Sequence, residues 1–187
     1  MSHAIDLLSL REKLFVLQHI SHGSEKYCQD VGLVVEDDLY DRNFDPNYKT
    51  VWADTKVLVS NYLIECAVKL RMLQEFCEKS DDRSKIAALG KQAVGDLPIG
   101  RVLDGSFQLS IREASNKIIH ATSCDLYFKE SQAAVIYWQG TCNLKGSLGK
   151  ESWHLELHVA NWGLAVQRYL DILGENGMLD YLGQDYA

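Results

Sequence analysis

"SIREASNKIIHATSCDLYFKE", residues 110–130, changes its hydrophobic period partway along. Up to Thr122 the apolar residues Ile111, Ala114, Ile118 and Ile119 gather on one side of a helical wheel. Ser110 and Glu113 form a capping box, S-x-x-E, which starts that helix at Ser110 with a definite register. Beyond Thr122 the period drops to two, as in a half-buried strand. A chain that makes this switch once, late in its length, reads as α+β with helices first and strands after.

Upstream, the pattern is helical. Leu7, Leu10, Leu14 and Leu17 recur at spacings of three and four, predicting a helix over residues 4–21. Gly23 interrupts it, and a short helical piece is expected over residues 24–29. Residues 54–79 form the longest predicted helix, with Asp54 as its N-cap. Val59, Leu63, Cys66, Leu70, Leu73 and Cys77 alternate spacings of four and three along it. That heptad seam wants an antiparallel partner, either the first helix or a second copy of the chain. A third helix is expected over residues 83–94, ended by "GDLPIG".

Residues 30–53 are acidic, aromatic and turn-rich. Asp41, Asn43, Asp45 and Asn47 alternate as in a calcium loop. However, Pro46 stands where the sharp turn needs Gly, and Trp52 where the bidentate Glu would be. The segment therefore reads as a long connection of lid-like length, with Phe44, Tyr48 and Trp52 packing on the body.

Downstream, "CDLYFKE", "AAVIYWQGTCNL" and "ESWHLELHVA" alternate as three strands, with "KGSLGK" as the hairpin loop between the last two. Trp153, Leu155, Leu157 and Val159 make the inner face of the last strand, and a helix over residues 162–173 covers it. The expected architecture is a four-helix bundle-like part over residues 1–122, then a three-stranded antiparallel meander and C-terminal helix over residues 123–187. The two parts read as one continuous domain.

The totals narrow the function. The chain has 187 residues and a net charge of −7, which argues against coating nucleic acid non-specifically but leaves room for a local basic cleft. No apolar run reaches membrane-spanning length, and the N-terminus lacks the basic region of a signal peptide. Five cysteines without a C-x-x-C pair read as free thiols in a reducing cytoplasm. No Gly-rich phosphate loop and no G-x-S-x-G elbow occurs. No cofactor is called for.

Arg112, Asn116 and His120 stand four apart, at the border of the apolar side of their helix. A His passes protons near neutral pH, and an Arg grips a phosphate with paired hydrogen bonds. An Asn between them can orient either group. Arg112 also lies in the first helical turn, where the macrodipole disfavours a cation and welcomes a phosphate.

"NKIIH", residues 116–120, following an Arg on a helix late in a helical bundle, resembles the signature of the HEPN superfamily. That resemblance implies an all-α, often dimeric domain. Many such domains are metal-independent endoribonucleases of toxin–antitoxin, abortive-infection or CRISPR systems, and others only bind nucleotides. It implies His120 as general acid or base, Arg112 on the scissile phosphate and Asn116 as orienter, with RNA or a nucleotide as partner. The family separates Arg from His by four to six residues, and its Asn commonly follows the Arg directly. Here seven residues intervene and Ser115 precedes the Asn. The strands after residue 122 are no part of a minimal bundle of that kind.

A second ladder lies in the last strand. His154, Glu156 and His158 alternate in "HLELH" and share one strand face, a set that could hold a divalent metal. Same-face neighbours stand about 7 Å apart, too spread for one ion without help from an adjoining strand. The wet face of a one-sided sheet gives the same alternation. Tyr137 and Trp138 point to opposite faces of the middle strand, so they form no stacking platform and Trp138 belongs in the core.

Two expectations follow. One is a HEPN-like nucleic-acid protein, acting as a homodimer with Arg112 and His120 in one cleft. The other is a non-catalytic interaction or scaffold protein, with those side chains spread over a solvated helix edge.

Overall fold

A computed structural model describes residues 5–33 and 46–179. Of the calcium-like alternation, Asp41, Asn43 and Asp45 lie outside these, and Asn47 falls within α2. Five helices and four strands follow in the order α1 (Leu7–Asp30), α2 (Pro46–Ser80), α3 (Arg83–Val94), β1 (Gly100–Asp104), α4 (Ile111–His120), β2 (Ser123–Glu130), β3 (Ile136–Leu148), β4 (Glu151–His158) and α5 (Val159–Glu175). The α+β reading holds, with one more strand than expected.

The sheet is wholly antiparallel, in the order β1-β4-β3-β2. The expected meander is β2-β3-β4, and β1 adds to its β4 edge, pairing Gly100 with Leu157 and Val102 with Leu155. Gly100 is required there, because a Cβ would stand 2.4 Å from the Glu156 carbonyl oxygen. The hairpin between β3 and β4 is tighter than "KGSLGK" suggests: the ladder runs to Leu148↔Glu151, and Gly149 takes the positive φ of the turn.

Local signals set several boundaries. Asp6, Asp82 and Ser110 accept backbone N–H groups at the starts of α1, α3 and α4. α1 runs straight through Gly23 and absorbs the piece expected at residues 24–29. A mid-helix Gly costs about 1 kcal/mol, and tertiary contact offsets it: the Ser24 hydroxyl accepts the Trp138 N–H, and the chain packs along β3. α2 begins at Pro46, two turns before Asp54, because Pro is pre-set for the first helical position. Val159 is buried as expected, but as the first residue of α5 rather than the last of a strand.

α1 and α2 are antiparallel neighbours, with Lys13 and Lys69 meeting at Glu65 and Tyr27 lying near Val51. Val59, Leu63, Cys66, Leu70, Leu73 and Cys77 are all buried within the protomer. The heptad seam is therefore consumed internally and offers no surface to a second copy. One core runs through both parts of the chain, joining Leu10, Leu14 and Leu70 to Trp138, Leu155, Trp162 and Leu173. Trp138 belongs to it as expected, its indole N–H donating to the Thr141 carbonyl at 2.9 Å.

Candidate functional site

The α4 ladder sits where the capping box puts it, and each member has its own surroundings. Arg112, in the first turn, forms an ion pair with Glu78 near the end of α2. Arg83 stands 3.9 Å from the same carboxylate. Arg71 lies close by, donating to Gln74 at 3.1 Å and Glu75 at 2.8 Å. Burial and the neighbouring Arg112 pull the Arg71 guanidinium below its ordinary range. Asn116 donates to Glu113 at 3.2 Å, and Lys117 approaches the same carboxylate at 3.3 Å. Lys117 also lies over the rings of Phe107 and Trp153. His120 ends the helix, exposed to solvent.

Arg112 and His120 are about 12 Å apart along the axis, at about 1.5 Å per residue. Among the described residues no hydrogen bond or ion pair joins any two of the three. The helix presents them in a row, and the row is not gathered into one pocket.

The β4 ladder is different. His154 meets the Asn143 side chain at 3.1 Å. Glu156 lies 3.4 Å from Arg101 on β1 and 3.5 Å from His158 Nε2. The Nδ1–H of His158 donates to the Pro98 carbonyl at 2.8 Å, an oxygen that also accepts the Asn161 side-chain amide at 3.0 Å. Glu156 and His158 thus meet each other while His154 turns to Asn143, and no group of three His, Cys, Asp or Glu among the described residues is arranged for a metal. The strand rise keeps the three apart, and no neighbouring strand supplies the missing ligand.

Glu156 and His158 do line a polar cleft of about 420 Å³ with His22 of α1, Lys129 of β2, Thr141 of β3 and Asn161 of α5. His22, Lys129 and Asn161 have no motif in common in the sequence, and only the tertiary fold assembles them. An apolar groove of about 440 Å³ runs between α1 and α2, bordered by Ile20, Tyr27, Val51 and Leu58.

All five cysteines are free thiols. Four are buried, and Cys124 is half-buried on β2. A hydrogen bond from Cys142 holds the Cys124 thiol down at about 7, against the opposing effect of burial. Cys142, as the donor and nearly enclosed, is pushed well up.

Among the described residues no helix is long and apolar enough to cross a membrane. No family model, curated protein or solved structure matches this chain.

Proposed function

We propose that this chain is a non-catalytic interaction protein whose partner is a second copy of itself, docked along the outer face of α2. The observation that carries this reading is a second apolar stripe on that helix, away from the buried seam. Val57 is 60% exposed, Ile64 50%, Val68 39% and Met72 37%. The stripe is about 22 Å long at about 1.5 Å per residue. A monomer has little reason to leave so long a row of aliphatic groups in water. One straight helical face is self-complementary about a two-fold axis. An axis beside Ile64 sets Val57 of one copy against Met72 of the other, and Asn61 against Val68. Light scattering after gel filtration tests this. A dimer that becomes a folded monomer in Ile64→Glu supports it, and a wild-type monomer at high protein concentration sinks it.

A second reading is a HEPN-like, metal-independent endoribonuclease with Arg112, Asn116 and His120 in the roles the resemblance implies. It is favoured by the arginines around the start of α4. Arg71, Arg83 and Arg112 surround Glu75 and Glu78, and a scissile phosphate would take the place of Glu78 on Arg112. RNA cleavage in EDTA, lost in His120→Ala at equal stability, would support it. Equal activity, or none, in both proteins would remove it.

A further inference from the structure

The thiols take no part in either reading, and two of them stand together. Cys124 pairs with Leu144, and Leu126 with Cys142, so Cys124 and Cys142 are diagonal neighbours on one face of the β2–β3 ladder. The Cys142 thiol donates to the Cys124 sulfur. Ser60 of α2 donates to the same sulfur at 3.9 Å.

Their surroundings divide the labour. Cys142 is fully buried, so no solute reaches it directly. Cys124 is half-buried, and its strand is an edge of the sheet. Beside it, Lys56 of α2 and Asp125 stand 3.6 Å apart with exposed side chains. The bond from Cys142 is the strongest influence on Cys124. Burial and Asp125 oppose it, while Ser60 and the Lys56 ammonium add to it. At a pKa of about 7, much of Cys124 is thiolate at neutral pH. The other thiols lack such help. Burial pushes Cys66 up to about 12 and Cys77 up to about 11, and it raises Cys28 as well.

The backbone around the pair has room to adjust. A disulfide needs Cα atoms within about 7 Å, and diagonal neighbours stand about 7–8 Å apart. The ladder is loosest beside Cys142. Between Leu126↔Cys142 and Phe128↔Trp138, a step of two on β2 is matched by a step of four on β3. Gly140 in that bulge has φ +82°. Among the described residues β2 pairs with β3 alone, so a small shift of one edge strand closes the gap.

We propose that Cys124 and Cys142 are an oxidation site for hydroperoxides, in which Cys124 reacts first and Cys142 resolves it as a cross-strand disulfide. The Cys124 thiolate attacks one peroxide oxygen. An S–O bond forms, the O–O bond breaks, and the departing hydroxide is protonated from solvent to water. Sulfur gives up two electrons and the peroxide accepts them, leaving a sulfenic acid. The Cys142 sulfur then attacks the sulfenic sulfur. The S–S bond forms, the S–O bond breaks, and the hydroxide leaves with the Cys142 proton as water. A dithiol reductant reverses the change by exchange. Neither the outer face of α2 nor the α4 ladder enters this chemistry, so its test is separate from both readings.

The test treats the folded, reduced full chain with a small excess of hydrogen peroxide, blocks the remaining thiols and maps the peptides by mass spectrometry. Of the five thiols, Cys124 and Cys142 should be lost together, joined in one cross-linked peptide pair and restored by dithiothreitol. Cys142→Ser keeps a donor beside Cys124 and removes the resolving thiol. It should stop at a sulfenic acid on Cys124, which dimedone traps. Cys124→Ser should leave Cys142 reduced. All five thiols still free at peroxide doses that fully oxidise glutathione would overturn the proposal. So would a disulfide joining two copies through Cys124, or a Cys124 sulfenic acid that persists in the unaltered chain beside a free Cys142. Should Cys142→Ser fail to fold, the peptide map of the unaltered chain decides, since only a Cys124–Cys142 link upholds the site.

Discussion

Two ladders of polar residues, one on α4 and one on β4, look alike in the sequence and end differently in the fold. Arg112, Asn116 and His120 each have separate surroundings: Glu78 on another helix, Glu113 one turn back, and water. Glu156 and His158 instead share a cleft with side chains from α1, β2, β3 and α5. Periodicity places side chains on a common face in both cases. A concave site needs a second wall as well. α1 and the first turn of α5 provide it beside β4, and the α4 ladder lines neither the polar cleft nor the apolar groove.

The comparison can be broken most severely at the point where both regions meet. Gly146 packs between the end of α4 and the start of β4. A Cβ there would lie 2.3 Å from the Trp153 ring and 3.0 Å from the His120 carbonyl. Trp153 is buried and cannot yield. Gly146→Ala should cost about 3 kcal/mol, the upper end for overpacking, measured by denaturant unfolding. A loss below about 0.5 kcal/mol would mean the two regions are not tightly coupled.

Arg112→Ala comes next. It leaves Glu78, whose side chain is 16% exposed, without its main partner. About 2 kcal/mol of stability should be lost, less than for a fully buried pair because Arg112 is partly solvated. A double-mutant cycle with Glu78→Gln should show coupling of at least about 1 kcal/mol. Zero coupling would free Arg112 from its structural role and strengthen its place in phosphate chemistry.

His158→Ala should cost about 1 kcal/mol, the usual net value of one hydrogen bond. It removes the bond that ties β4 to the Pro98 carbonyl. Hydrogen exchange should therefore speed at β1 more than at β2. Uniform protection across the sheet would contradict this.

His120→Ala sharpens the contrast from the other side. An exposed residue at a helix end should change stability by less than about 0.5 kcal/mol. A larger loss on thermal unfolding would show that His120 is integrated as His158 is.

Much of the fold was legible because its causes are local. The capping box at Ser110 fixed the register of α4, and Asp82 fixed the start of α3 with no distant help. The alternation in β4 declared Trp153, Leu155 and Leu157 as its dry side. The seam of α2 declares a buried face, but not whether α1 or a second copy covers it. β1 is not legible in the sequence, because a five-residue edge strand carries little alternation and its pairing of Gly100 with Leu157 spans the intervening helix and meander.

By itself, then, the sequence determined the period, the caps and the faces, because these depend on residues within a turn or two of one another. The tertiary structure alone decided that α1 continues through Gly23, and that α2 spends its seam inside the protomer. It alone decided that His22, Lys129, Thr141 and Asn161 come together. The reason is that these outcomes depend on contacts between segments far apart in the chain. Their free energy exceeds local propensity and leaves no periodic trace in the residues that make them.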